Sequence, residues 1–326
     1  MPSFPASRTR LCQRAGICAL LLCGVLLGAC ATREAESPPQ TVTVAPMSIV
    51  DRNLMSIQED QEALFVQMSE TQISEDDFQR RVLHIASRYD EILATSPNNI
   101  DMLILYGKFL RRINQNDKAN LMFSHADTLD ENIAVVKQQI GNYLAETGDY
   151  AEALAYYLRA VELDPAQAVY HYGIGELLAT FRDKFVADGI YSNDLMDKLI
   201  LEAFSKASAI EPANKDFLFR NGEAYYDLHT PRWDEALALW TVAGARSDLT
   251  SFEKDVVRLH KARVLCELGR DREALELLHD EVIPFLAATR TRLLKRITDA
   301  DTPTGEDKAA AVPEPTDAQT PPAATK

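Results

Sequence analysis

Cysteine is nearly missing from the part of this chain that can fold. Of five cysteines, Cys12, Cys18, Cys23 and Cys30 fall within the first thirty residues, and only Cys266 lies beyond them. A lone thiol excludes an internal disulfide framework and leaves core packing as its role. Glycine is scarce as well, 13 in 326 residues, and with 46% hydrophobic residues this suits one elongated helical domain with tails. Basic charge is in deficit: 34 Lys and Arg face 49 Asp and Glu, a formal net charge of -15. That excludes the basic face a nucleic-acid partner requires. Catalytic signatures are missing too, with no H-E-x-x-H, G-x-S-x-G, P-loop or C-x-x-C. Gly173-Ile174-Gly175 begins like a dinucleotide loop, but Leu178 stands where the third glycine belongs and no strand precedes it. His84, His125, His171, His229, His260 and His279 are scattered without i,i+3 or i,i+4 pairing, so they read as packing or surface residues. The acid pairs Asp76-Asp77 and Asp280-Glu281 fall at helix ends, where capping accounts for them. No catalytic residue, metal, cofactor or small-molecule substrate is expected.

What the chain does have is self-similarity. Gly107, Gly141 and Gly175 are 34 residues apart, as are Ala119 and Ala153, Phe123 and Tyr157, and Ala126 and Ala160. From Tyr157 to Phe204, Ala160 to Ala207, Pro165 to Pro212 and Gly175 to Gly222 the step is 47, which is 34 plus 13. A 13-residue insertion therefore lies between Gly175 and Phe204, and the register resumes after it. A fourth unit carries Gly222, Tyr225, Ala236, Trp240 and Ala243, with about two extra residues near Thr230-Pro231. A fifth, more divergent unit carries Ala262, Leu265, Gly269, Ala274 and Leu278. Within the unit 134–167, Gly141 and Ala153 leave room for two helices to approach. Gly148 ends the first helix through a positive φ, Asp149 is placed to cap the second, and Pro165 stops it.

This spacing resembles the tetratricopeptide repeat, and the match covers the whole unit. The resemblance implies an all-α, right-handed helical solenoid of about five repeats with capping helices at both ends. Repeats are expected at 100–133, 134–167, 168–214 with the insertion, 215–250 and 251–281. Before them, residues 49–99 hold two helices acting as a degenerate repeat, with Ser74 at a helix start and Tyr89 and Pro97 in repeat register. After them, 282–300 is a capping helix whose basic cluster (Arg290, Arg292, Lys295, Arg296) either suits its own last turns or meets an anionic partner. Residues 301–326, rich in Pro, Ala, Thr and Asp, are expected to be disordered.

The N-terminus reads as a targeting segment, 1–29. Arg8, Arg10 and Arg14 precede the apolar run Ala15–Ala29, too short for a comfortable membrane span. It ends in Leu27-Gly28-Ala29-Cys30, which resembles the lipobox of bacterial lipoproteins; the alternative is an uncleaved anchor or an ordinary cleavage site. The resemblance implies cleavage before Cys30 and acylation of that residue, with more than one chain for stable anchoring. Ala31 after the cysteine is similar to the sorting pattern for the outer membrane. Residues 30–48 then form the lipidated cysteine and a flexible tether with roughly 25 Å of reach. The expected location is the bacterial cell envelope, lipid-anchored at the outer membrane and facing the periplasm.

Function must then lie on surfaces. In the repeat class the chain resembles, the first helix of each unit carries ligand contacts. That implies a groove of Tyr172, Glu176, Phe219, Glu223 and Tyr226 on one surface, suited to a basic or amine-bearing segment. Truncating Phe219 and Tyr226 is expected to leave the fold intact. A second candidate groove is Lys108, Arg111, Arg112 and Asn142; the alternative for all nine is an ordinary solvated helix face. Asn142 fits one position of the carboxylate clamp of some repeat proteins, but Ile104, Val169 and Gly173 occupy others, so that clamp is missing. The insertion around 181–195 is either a binding loop or an extension of both helices, and in register terms it is expected to be dispensable for folding. The whole implies a non-enzymatic interaction scaffold or adaptor with protein or peptide partners in envelope assembly, of the pilus, secretion or peptidoglycan-machinery type. The alternative is a structural lipoprotein that self-associates.

Overall fold

The structure is a computed structural model that describes residues 49–70 and 72–300. The targeting segment, Cys30, the tether and the C-terminal tail lie outside the described residues. Helices follow one another in pairs. Helix α1 spans Ile49–Ser69 and α2 Glu75–Thr95; α3 (Ile100–Arg112) pairs with α4 (Asn116–Leu129), and α5 (Ala134–Thr147) with α6 (Tyr150–Leu163). The third unit holds α7 (Ala168–Thr180), a short α8 (Arg182–Ala187) and α9 (Asn193–Ile210). In the fourth, α10 (Lys215–Glu223) runs on as a 3₁₀ turn, Ala224–Tyr226, before α11 (Trp233–Gly244). Helices α12 (Ser251–Glu267) and α13 (Asp271–Leu278) make the fifth, and α14 (Ala287–Ala300) closes the series after a 3₁₀ turn at Pro284–Leu286. The short connections make neighbouring helices antiparallel. Among the described residues there is no strand, and no helix is long and apolar enough to cross a membrane.

Helix boundaries follow from local chemistry. The Ser74 hydroxyl accepts the Asp77 amide at 3.2 Å, and Glu75, Asp76 and Asp77 crowd the positive end of α2. Thr250 and Glu253 make a reciprocal capping box at the start of α12. Gly148 ends α5 at φ 93°, handing its N–H back to the Leu144 and Ala145 carbonyls. Asp149 departs from expectation. It stands at the N-cap position of α6 but makes no capping bond. Its carboxylate accepts instead from the Thr147 hydroxyl at 3.1 Å, turned toward the helix it follows.

Packing explains the repeat. In four successive units the ring of the second helix lies where the first helix has glycine. A Cβ added to Gly107 would stand 2.8 Å from Phe123, one on Gly141 3.0 Å from Tyr157, and one on Gly175 2.7 Å from Phe204. Gly222 beneath Trp240 is tighter still. Phe123, Phe204 and Trp240 are fully buried, and Ala119, Ala153 and Ala236 beside them are sealed as well. The fifth unit keeps the arrangement with smaller groups, Ala262 and Leu278, both buried. Four apolar clusters among the described residues pass the core along, from α1–α5 to α12–α14.

The ends are closed differently. At the N-terminal end Tyr89 is fully buried and stacks on Tyr106 with ring centres 4.8 Å apart. At the C-terminal end the basic residues of α14 divide their work. Arg290 donates to the Leu278 and His279 carbonyls at 2.8 and 3.1 Å, satisfying the end of α13, and Arg296 forms a two-pronged pair with Glu267. Two of the four are thus engaged with neighbouring helices, one in capping and one in an ion pair. Cys266 is a free, buried thiol in the last cluster.

The insertion corrects the sequence reading. It forms α8, a turn through Gly189 at φ 68°, and an N-terminal extension of α9, while α7 stays as short as α3. Phe185 is fully buried, edge-on to Tyr150 at 4.8 Å, and Tyr150 in turn stacks on Phe181 and donates its hydroxyl to Asp188. Arg182 pairs with the buried Asp197 at 2.7 Å. Asp197 also accepts the amides of His229 and Thr230, each at 2.9 Å, so the insertion holds the long loop of the fourth unit. Burial alone would raise the Asp197 pKa; the two amides and Arg182 outweigh it and hold the carboxyl below its ordinary value. The insertion supplies Phe185 and Met196 to the core, which counts against its being dispensable.

Two outcomes test this packing. Gly175→Ala should lose about 1–2 kcal/mol, the overpacking strain against Phe204 exceeding the helix-propensity gain of up to about 1 kcal/mol. Urea unfolding followed by circular dichroism reads it, and adding Phe204→Leu should recover part of the loss. Phe185→Ala should cost about 3–5 kcal/mol in the same assay, whereas a removable loop would leave the midpoint where it was.

Candidate functional site

The first helices of successive units, α1, α3, α5, α7, α10 and α12, with α14 after them, are joined by side-chain ion pairs at every step but one. Arg112 reaches Glu62 at 3.5 Å between α3 and α1, its guanidinium lying 3.7 Å over the Phe65 ring. Arg111 grips Glu146 with two nitrogens, at 2.7 and 3.1 Å, between α3 and α5. Arg220 meets Glu176 at 2.6 Å between α10 and α7, and also Asp227 at 3.2 Å. Lys215 reaches Glu253 at 2.8 Å between α10 and α12, and Arg296 reaches Glu267 at 2.7 Å between α14 and α12. Among the described residues, no ion pair joins α5 to α7.

At that step a cleft of about 340 Å³ opens. Its floor is apolar: Tyr157 from α6, Ala145 from α5, and Leu177 and Phe181 on and just after α7. Gly173 keeps the floor low, since a Cβ there would stand 3.3 Å from the Tyr157 ring. Val169 and Tyr172 form one wall, Gln138 and Asn142 the other, with Glu146, Glu176 and Thr180 along the rim. The Asn142 carbonyl oxygen accepts from the Tyr157 hydroxyl at 2.7 Å and from the Gln138 amide at 3.3 Å. With its oxygen so occupied, the Asn142 side-chain NH₂ is left as the group that can donate into the cleft. Burial pushes the Tyr157 and Tyr172 hydroxyls up to about 12, so both stay protonated donors at neutral pH.

The nine groove residues named from the sequence divide accordingly. Tyr172, Glu176 and Asn142 line the cleft. Tyr172 is also packed on Phe204 and Phe217, at ring distances of 5.6 and 5.0 Å. Phe219, Glu223 and Tyr226 gather instead toward α12. Phe219 packs on Trp240 at 6.0 Å, while Tyr226 stacks on His260 at 5.6 Å and bonds its ring nitrogen at 3.0 Å. The Arg263 guanidinium covers Tyr226 at 3.8 Å. Tyr226 is therefore held from several sides, which speaks against truncating it without cost to the fold. Arg111 and Arg112 are bound to Glu146 and Glu62, and Lys108 stands exposed. One residue that the sequence reading missed helps organise the row: Arg220, which pairs with Glu176 and Asp227. The signal for Arg220 was an arginine three residues before Glu223, inside an otherwise acidic and aromatic stretch.

His260 is the centre of the second group. It stacks on Trp240 with ring centres 4.2 Å apart and planes 7° off parallel, and Glu223 lies 3.8 Å from its Nε2. Burial, helped by Arg263, lowers its pKa from 6.5 to about 4. Burial likewise raises the Glu223 carboxyl, with Arg220 opposing. The geometry is that of a packed aromatic joint between the fourth and fifth units.

Pairs of helices in 34-residue register, stacked on glycine–ring contacts and capped at both ends, define a tetratricopeptide-type solenoid. The TPR repeat family model matches residues 141–180, which span α6 and α7 and include much of the cleft. Among solved structures the chain is similar to YrrB, a TPR protein with an unusual peptide-binding site, at 15% identity and TM-score 0.49 over 66% of this chain and 98% of that one. It is also similar to PilW, a type IV pilus biogenesis factor, at 14% identity and TM-score 0.48 over 76% and 99% of the two chains. With pilF of Pseudomonas aeruginosa the values are 14% and 0.46, over 75% and 94%. No curated protein matches the sequence.

The buried imidazole gives a pH signature. The folded protein keeps His260 neutral, whereas the unfolded chain protonates it at its ordinary value. Stability present above pH 6.5 should therefore fall as pH drops toward about 4. His260→Phe keeps a ring on Trp240, loses the bond from Tyr226 at a cost of about 1 kcal/mol, and should flatten that part of the pH–stability curve. Urea midpoints measured across the range check it; parallel curves for the two proteins would refute it.

Proposed function

We propose that this protein is a non-enzymatic scaffold or adaptor that binds a protein segment in the cleft between α5 and α7. The observation that carries the reading is the cleft itself. It is an apolar floor of Tyr157, Leu177 and Phe181 between α5 and α7, bordered by Asn142, whose oxygen is occupied by Tyr157 and whose NH₂ is left to donate. Rigid aromatic walls and a fixed amide offer contact area at little entropic cost, which is what recognition of an extended segment needs. The lipobox-like Leu27-Gly28-Ala29-Cys30 and the following tether support a lipid-anchored protein of the bacterial envelope, at the outer membrane and facing the periplasm. In that setting the scaffold would serve assembly of an envelope complex, of pilus, secretion or peptidoglycan-machinery type.

Crosslinking in the native host, followed by identification and titration of the captured protein, tests both halves. Val169→Trp, at an exposed position of the cleft wall, should fill the cleft and weaken binding of the captured partner about tenfold or more without lowering the melting temperature. Unchanged affinity would move the binding site elsewhere, and capture of the chain only by itself would favour self-association. Cys30→Ser should shift the protein from the membrane to the soluble fraction or block its processing; fractionation identical to wild type would refute the anchor.

A further inference from the structure

The ion-pair row has one open step, and the cleft lies in it. Every other neighbouring pair of first helices is tied by a cation on one helix and a carboxylate on the next: α1 to α3, α3 to α5, α7 to α10, α10 to α12 and α12 to α14. Between α5 and α7 no such tie forms: Lys137 of α5 pairs with Asp127 of α4, and the charged residues lining the cleft are carboxylates. Glu146 and Glu176 both line the cleft, their side chains 47% and 37% exposed, and the lining contains no lysine or arginine. The arginines that pair with them, Arg111 and Arg220, stand on the outer sides, on α3 and α10. Glu176 accepts from Arg220 at 2.6 Å and is bonded by the Tyr172 hydroxyl, while Glu146 accepts from Arg111 and, at 3.0 Å, from Asn116, so both carboxylates are held in place at the rim.

We infer that the occupant of this cleft is a protein segment bearing an apolar side chain with a lysine or arginine beside it. The apolar group rests on Tyr157, Leu177 and Phe181, and the cation sits between Glu146 and Glu176, completing the row. This rests on the cleft being the binding site, as proposed above, and adds the chemistry of the partner. A carboxylate-bearing segment would meet two like charges at the rim and bind worst, so the open step selects by repulsion as well as attraction. It also differs from the carboxylate-clamping mode, since the cleft offers its charges to a cation.

Fluorescence anisotropy on the full-length chain tests the inference with three labelled peptides. Each carries a central phenylalanine in a Gly/Ser spacer, flanked on both sides by lysine, by glutamine or by glutamate. The lysine peptide should bind roughly five- to tenfold more tightly than the glutamine peptide, as two partly exposed ion pairs allow. The glutamate peptide should bind more weakly than either, and added salt should narrow the differences. Glu146→Gln with Glu176→Gln should abolish or invert the preference. Because that double variant leaves Arg111 without its carboxylate and Arg220 with Asp227 alone, Thr180→Lys serves as a second probe. It places an ammonium at an exposed rim position without breaking the row, and should weaken the lysine peptide while sparing the glutamine one. Three peptides bound alike, a preference for glutamate, or no binding at millimolar concentration each overturns the inference. The cleft itself is at fault only if Val169→Trp also leaves the captured partner's affinity unchanged; charge-blind peptide binding that Val169→Trp abolishes would leave the scaffold reading standing.

Discussion

A ring seated on a glycine is the contact on which the rest of the molecule depends. Phe123, Tyr157, Phe204 and Trp240 each occupy the space that a side chain on the facing helix would fill, at Gly107, Gly141, Gly175 and Gly222. The contact sets how closely the two helices of a unit approach, and so fixes the plane from which the next unit starts. It also explains why the groove face can be lined by large groups. With the rings drawn into the helix–helix seam, the remaining face of each first helix is free for Glu146, Tyr172, Glu176 and Arg220.

Much of the fold was legible because that contact is periodic. Identical spacing of Gly107, Gly141 and Gly175 could be read without knowing any contact, and the step of 47 to Gly222 located the insertion. The insertion's role was not legible. Phe181, Phe185 and Tyr191 were visible as aromatics, but register across the segment says only that the flanking units resume, not what the extra residues bury. The same limit applies to the site. Tyr172 and Glu176 were named as groove residues, yet which neighbours they meet depends on pairs far apart in sequence, such as Glu176 with Arg220 and Arg111 with Glu146. Such pairs leave no local pattern. Side-chain type and repeat position could nominate a face; only the relative placement of α5, α7 and α10 shows that three of the nine residues border a cleft and three belong to a packed joint.

Charge on this protein is thus arranged more finely than its net value indicates. The acidic excess counts against broad classes of partner, but along the row of first helices Glu62, Glu146, Glu176, Glu253 and Glu267 are each paired with an arginine or lysine of a neighbouring helix of the row. Glu223 and His260 meet in a setting where burial disfavours the charged form of each. What distinguishes the cleft is therefore not a surplus of acid but the lack, among the described residues, of an ion pair tying α5 to α7.

Asp197 carries a consequence for how the solenoid comes apart. In a chain of stacked units, stability is a sum of intrinsic terms and nearest-neighbour couplings, and opening normally starts at whichever end is weaker. The bonds from Asp197 to the amides of His229 and Thr230, with Arg182 behind them, add a strong coupling between the third and fourth units. A rivet placed there makes those two units a single cooperative block. Thermal opening would then travel inward from both termini and stall on either side of it, leaving the last structure to melt beside the cleft.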